Sequence, residues 1–307
     1  MTYIEVVHQN LHLQGFAKGG NFMYWSFTDT LVKTTLAGTV KCQCEMRDGH
    51  LGDCDYYDGK IYASMLGKPA PGRPWNDWSS FYVYVFDADD LHLLKKIRLE
   101  ICEQYWEQRG TEDDTRGFNG VDGVTVAPDP VTGEPKLFVA CALDTGERFT
   151  DQIFLQFTLD GAYETEYRIP TGNTVFGIQN LDYDQENREF WFSTYEPERD
   201  FQPKETLYCV SGDLTKVLRK YVYSSPYGIE CLGNEGFLAS VQFGVNGNRG
   251  GIAYSCTEEQ FRFPTNEKFL TAHRTEENLL LMQDILRVLA AQNAPSPFDI
   301  KEVTHEF

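Results

Sequence analysis

The sequence predicts a five-bladed β-propeller, an all-β ring of four-stranded antiparallel blades, and three observations carry that prediction. A hairpin of constant layout recurs five times. A second pair of strand-like segments follows these hairpins. The last repeat is one strand short, while an unclaimed strand-like segment precedes the first hairpin. Four-stranded units repeated at intervals of roughly 40 to 70 residues are the signature of propeller blades.

The hairpin reads most clearly at His50–Met65. Asp58-Gly59 is a tight-turn pair, and the segment after it alternates apolar and polar residues. The same frame fits Leu13–Phe27, Val121–Leu143, Phe176–Tyr195 and Tyr227–Gln242. The second strand pairs are Thr30–Met46, Ser80–Leu99, Asp151–Pro170 and Glu205–Tyr223, joined by short polar turns. After the fifth hairpin only Gly250–Cys256 reads as a strand. Thr2–Gln9 supplies the missing fourth strand and closes the ring from the other end of the chain, which removes exposed sheet edges. A second assignment gives that place to Glu258–Pro264 and keeps five blades.

Two segments break the repeat. Leu99–Gly120 is a long insertion with room for a short helix. Thr275–Asn293 is a helix with Thr275 as N-cap and an apolar stripe of Leu279, Met282, Leu286 and Leu289. The expected division is a propeller over residues 1–264 and a helical extension over 265–307, packed on the propeller's side.

The net charge of −19 argues against nucleic acid or an anionic membrane as partner. No apolar run is long enough to span a bilayer, and the first residues have neither a basic nor an apolar leader region. Eight cysteines include no CxxC pair, so a structural zinc site is not expected. Most of them lie in strand patterns as small hydrophobes, and we read Cys42 and Cys44 as facing opposite ways. A reducing compartment, the cytoplasm, is the expectation; oligomeric state is open.

The first strand of each hairpin should line the central channel, where polar side chains find water or an ion. Aligned on the turns, Gln14, Asp53, Gly123, Asn180 and Glu230 become equivalent, with Asp122 one residue ahead of Gly123. Asp55, Thr125, Asp182 and Leu232 form the next set, and His50 stands at the channel mouth. Asp53, Asn180, Glu230 and Gln14 offer oxygen ligands of the kind calcium takes, so Ca²⁺ in the channel is an expectation.

The connections that should gather on the upper face are rich in arginine and aromatics. They carry Arg47, Arg73, Trp75, Trp78, Trp106, Arg109, Arg116, Arg148, Arg199 and Arg249, so seven of fourteen arginines fall on one face of an acidic chain. Such residues suit a small polar or acidic ligand, a saccharide above all. They equally suit a protein or peptide partner, which is the alternative, non-catalytic reading.

The segments Gly52–Ser64, Gly120–Asp129 and Gly228–Ser240 carry acids on an inner strand ahead of a turn and a second strand. In this they resemble the arabinanase-type glycoside hydrolases and their five-bladed relatives. The resemblance implies Asp53 as general base, Asp122 as the acid that tunes and orients, and Glu230 as proton donor. His50 is a further candidate, as a base in an elimination. Cys54 and Gly123 stand where those families place proline, and Asn180 lies between the blades of the second and third acids. Binding at the channel mouth is the expected function, with hydrolysis or elimination of a glycosidic bond as its chemistry.

Overall fold

The computed structural model describes residues 3–9, 11–69, 71–74, 77–143, 148–172, 174–196, 204–223, 227–245 and 248–262. Arg199, Trp75 and the helix expected at Thr275–Asn293 lie outside them.

Strand β1 (Tyr3–Gln9) stands apart from the first hairpin. Blade 1 follows as β2 (Leu13–Gly19), β3 (Phe22–Phe27), β4 (Thr30–Thr35) and β5 (Val40–Glu45). Blade 2 is β6 (Gly49–Tyr57), β7 (Lys60–Gly67), β8 (Phe81–Asp87) and β9 (Leu93–Arg98). Helix α1 (Glu100–Gln108) comes next, then blade 3: β10 (Phe118–Pro128), β11 (Pro135–Leu143), β12 (Asp151–Phe157) and β13 (Tyr163–Pro170). Blade 4 is β14 (Val175–Asp184), β15 (Glu189–Glu196), β16 (Lys204–Ser211) and β17 (Val217–Tyr221). Blade 5 takes β18 (Ile229–Cys231), β19 (Phe237–Val245) and β20 (Asn248–Cys256) from this end of the chain, and β1 as its outer strand. Tyr3 pairs with Tyr254 and Gln9 with Arg249 in that closure. Glu258–Arg262, the other candidate for the place, is a 3₁₀ turn.

Alternation along each strand fills the spaces between blades. Five buried clusters occupy the five interfaces around the ring. Blades 2 and 3 meet through Phe81, Val83, Phe118 and Val139; blades 4 and 5 meet through Trp191, Phe237 and Tyr254. Each fully buried aromatic or leucine contributes about 1.5–3 kcal/mol, so the blades hold one another rather than folding alone. The outer strands are mostly exposed, as β5 and β9 show. Helix α1 packs Cys102 and Tyr105 against blades 2 and 3, with Glu103 bound by Arg98 at 2.7 Å.

All eight cysteines are unpaired thiols. Cys42 and Cys44 share one side of β5 and pack against the same cluster, which corrects the expectation of opposite faces: a period of two puts i and i+2 together. Among the described residues no helix is long and apolar enough to cross a membrane.

Deleting β1 exposes the backbone edge of β20 and opens the ring. A variant lacking residues 3–9 should melt at least about 10 °C lower by circular dichroism and elute as aggregates on size exclusion.

Candidate functional site

The five inner strands surround a narrow axis, and those of blades 1 to 4 meet their neighbours in the hairpin through a bulge. The ladder shifts between Leu13 and Gly15, Leu51 and Cys54, Val121 and Val124, and Ile178 and Asn180. Two residues therefore stand opposite a single small one: Ser26, Ser64, Ala140 or Ser193. Ser26 donates to the Gly52 carbonyl of the next blade, and Ser64 donates to that of Asp122. The hydroxyls thus tie neighbouring bulges together.

The second bulge position sits on the axis. It is Gly15, Asp53, Gly123 and Asn180 in the first four blades. Asp53 reaches across to blade 4, where its Oδ2 accepts from the Leu181 N–H at 2.9 Å. Asn180 reaches back to blade 1, where Nδ2 donates to the Gln14 carbonyl at 2.7 Å, while its Oδ1 accepts from Ser193 at 2.9 Å. Neither of the other two positions has room for a side chain. A Cβ on Gly15 would lie 2.0 Å from Asp53 Oδ1, and one on Gly123 would lie 2.8 Å from the Leu181 side chain. Asp53 is 2 % exposed, and burial pushes its carboxyl well above the usual carboxylate range.

One level below lie three more acids, each accepting a backbone N–H of the following blade. Asp55 takes Val126 at 2.7 Å and the Thr125 hydroxyl at 3.0 Å. Asp182 takes Cys231, and Glu230 takes Lys18 at 3.0 Å. Burial raises all three, and repulsion adds to it, from Asp182 on Asp55 and Glu230 and from Asp184 on Asp182; Asp55 is pushed up to about 7.

This placement corrects the alignment. Glu230 belongs with Asp55 and Asp182, two residues and about 6.8 Å below the level of Asp53 and Asn180. Gln14 belongs one position above that level. Asp53, Asn180, Glu230 and Gln14 therefore do not converge on one point, and both polar atoms of Asn180 are already engaged. As a set they do not fit a calcium cage. The one compact trio of ligating groups among the described residues is Asp87, Asp90 and His92, in the exposed turn of blade 2, where Asp90 already binds His92 at 2.6 Å.

The upper mouth has a different character. Gln14 Nε2 lies 2.9 Å from the Thr28 hydroxyl, 2.9 Å from His12 and 3.2 Å from His50 Nε2. Donation to that nitrogen puts the imidazole proton on Nδ1, which is buried and has no partner among the described residues. Burial lowers the pKa of His50 and keeps it neutral. Trp78 meets the His50 ring edge-on at 5.8 Å, and His12 does so at 6.0 Å. Asp122, at the first bulge position of blade 3, rests against Gly52. It is half-buried, burial pushes its carboxyl up to about 8, and among the described residues no donor reaches it. Phe176, the second residue of β14, lies at the same end, 50 % exposed and held at φ 60°.

Sequence reasoning missed His12, Thr28 and Phe176. The repeat of His-Leu two residues ahead of the bulge, at His12-Leu13 and His50-Leu51, is the signal for the first.

The arginines are largely spent on the protein itself. Arg73 pairs with Asp77, Arg47 with Glu45, and Arg148 donates to the Asp114 carbonyl. Arg116 binds Glu166 at 2.8 Å and covers Tyr105, away from the axis. Arg109 stacks on Trp106 at 4.7 Å. Arg249 is half-buried at the start of β20.

No protein-family model and no curated protein matches the chain. Solved structures match by fold. An exo-β-1,3-galactanase from Phanerochaete chrysosporium, solved with β-1,3-galactotriose, aligns with a TM-score of 0.50 at 7 % identity, over 80 % of this chain and 60 % of that one. A second exo-β-1,3-galactanase, from Clostridium thermocellum, gives 0.47 at 12 % identity over 77 % and 57 %. A glucose dehydrogenase gives 0.45 at 10 % identity over 82 % and 99 %. The chain thus spans about three fifths of the galactanases' length, and the likeness is one of fold.

Two outcomes follow from the packing around the axis. Gly15→Ala should cost at least about 1–3 kcal/mol in urea unfolding, because the added methyl meets Asp53. The raised carboxyls keep their protons in the folded protein at pH values where the unfolded chain has released them. Stability from these groups is full below about pH 4 and is lost as pH rises through 7 and 8. The melting temperature should therefore fall between pH 5 and 9, and Asp122→Asn should flatten the upper part of that fall.

Proposed function

We propose that the upper mouth of the axis binds the end of a neutral saccharide, and that the protein holds this ligand without cleaving it. The observation that carries the reading is the Asp122 carboxyl: raised, half-open and unpartnered among the described residues, at the end of the axis where Gln14, His50 and Trp78 gather. At neutral pH it keeps its proton and donates to a sugar oxygen. Gln14 and the neighbouring imidazoles supply further donors and acceptors. Trp78 and Phe176 offer flat apolar faces of the kind that pack on pyranose rings.

The arginines favour a neutral ligand over an acidic one, since most of those described already have partners. Hydrolysis needs a second open carboxylate about 5 to 10 Å from the acid. Asp53 is closed off and bonded to Leu181, while Asp55, Asp182 and Glu230 sit a level deeper with backbone partners. A galactanase of the same fold, solved with β-1,3-galactotriose, suggests the first probe.

Calorimetric titration of the wild type with β-1,3-galactotriose and a panel of neutral and uronic oligosaccharides tests this. A neutral oligosaccharide should bind, and be recovered intact, with and without calcium. Trp78→Ala and Asp122→Asn should each weaken binding about tenfold, or ~1.4 kcal/mol. Binding confined to uronic sugars, or none at all, rejects the reading; released monosaccharide rejects its non-catalytic part.

A further inference from the structure

The outer strand of blade 1 carries a row of sulfur. Along Lys41–Arg47 every second side chain turns inward: Cys42, Cys44 and Met46. Lys41, Gln43, Glu45 and Arg47 between them are exposed. A period of two puts the three sulfur-bearing side chains on one face. That face meets blade 2, where both cysteines and Met46 join one cluster with Tyr84, Phe86 and Leu91. Cys42 and Cys44 are half-buried free thiols that solvent reaches, and Met46 is 8 % exposed.

A second, independent observation is a buried cation beside this row. Lys33 stands directly opposite Cys42 in the ladder between β4 and β5. It is 4 % exposed, with its ammonium 4.1 Å from the Phe22 ring centre and 3.0 Å from the Asp89 carbonyl oxygen. The Cys42 Sγ approaches that same oxygen, at 3.9 Å. The Asp89 carboxylate, 3.8 Å from the ammonium, is fully in solvent. Burial favours the protonated form of both thiols, and Lys33 works against this at Cys42. Negative charge formed on the sulfurs is therefore met by a positive charge already in place.

Residues two apart on a strand have Cα atoms about 6.8 Å apart, the outer limit for a direct disulfide. An ion held between the two sulfurs lengthens the bridge and suits that spacing. Thiolate and thioether ligands select soft ions. Zinc takes four ligands, and among the described residues no His, Asp or Glu closes on the cysteine pair; the one such trio is Asp87, Asp90 and His92. We propose that Cys42 and Cys44 bind one copper(I) ion between their sulfurs, with Met46 as a weaker third ligand. Each thiol gives its proton to solvent as its bond to copper forms, and the copper keeps its oxidation state. Two thiolates on one monovalent ion leave a single negative charge, which Lys33 offsets. The site lies on an outer strand, away from the axis, so it and the saccharide mouth stand or fall separately.

Anaerobic titration with copper(I) supplied as its acetonitrile complex, against bicinchoninate as competing chelator, tests the assignment. One equivalent should bind and give a thiolate-to-copper charge-transfer band in the near ultraviolet. Cys42→Ser and Cys44→Ser should each weaken binding at least about tenfold. Met46→Leu should weaken it about threefold, while Cys256→Ser and Asp122→Asn leave it unchanged. A band that survives in the Cys42→Ser, Cys44→Ser double variant overturns the proposal. So do two equivalents of which each cysteine variant loses one, since the sulfurs then act apart. Zinc(II) displacing copper(I) from the wild type overturns the choice of metal, and indifference to Met46→Leu removes the thioether. If a serine variant fails to fold, alkylation of the wild type with iodoacetamide decides, read by mass spectrometry. Copper(I) should shield Cys42 and Cys44 together, and shielding of one or neither overturns the site.

Discussion

The inner strand of every blade has one edge in a ladder and one edge facing the axis. Backbone N–H groups on that second edge are buried and have no sheet partner. Leaving even one unmet costs about 1–3 kcal/mol, so acceptors must come from side chains. Carboxylates supply them here. Asp53 serves Leu181, Asp55 serves Val126, Asp182 serves Cys231 and Glu230 serves Lys18. Three of these bonds join a blade to the next one round, and the fourth crosses the axis. The acids on the inner strands act as bolts of the ring.

Much of the rest follows from these bolts. Because Asp53 spans the axis, Gly15 has no room for a side chain, and Leu181 and Ile178 of blade 4 leave none at Gly123. Because the axis is filled at that level, a ligand can approach only from the ends. The bulge turns its first residue toward the upper end: Gln14 lies beside His50, which meets Trp78, and Asp122 rests against Gly52 of the same blade as His50. Asp122 alone among these acids lacks a donor in the described residues. That sets it apart as chemistry rather than framework.

The blade count and the ring closure were legible because hairpin turns and strand alternation are local signals. Asp58-Gly59 marks its turn whatever surrounds it, and Thr2–Gln9 reads as a strand without its distant partner. The levels of the axis were not legible, because turns were the wrong ruler. The turn of blade 5 is a 3₁₀ segment, Gly233–Glu235, after a strand that ends at Cys231. Counting back from it displaced Glu230 by two residues. The arginines misled for another reason: a loop sequence shows the charge but not the partner, and Glu166 of blade 3 lies 50 residues beyond the Arg116 it holds. The orphan nitrogen of His50 is a feature of packing and leaves no local trace in sequence.

The closure of blade 5 also sets an order of events during synthesis. Tyr3 pairs with Tyr254, so β1 leaves the ribosome long before its partner exists. Until then the nascent chain carries an unpaired strand at its front and an unfinished ring behind it. Contacts of such long range form slowly, and the waiting edge is exposed to other chains in the meantime. Once β1 and β20 are joined, the ring is closed and that edge is covered. Such a chain asks for protection early in life and needs little afterwards.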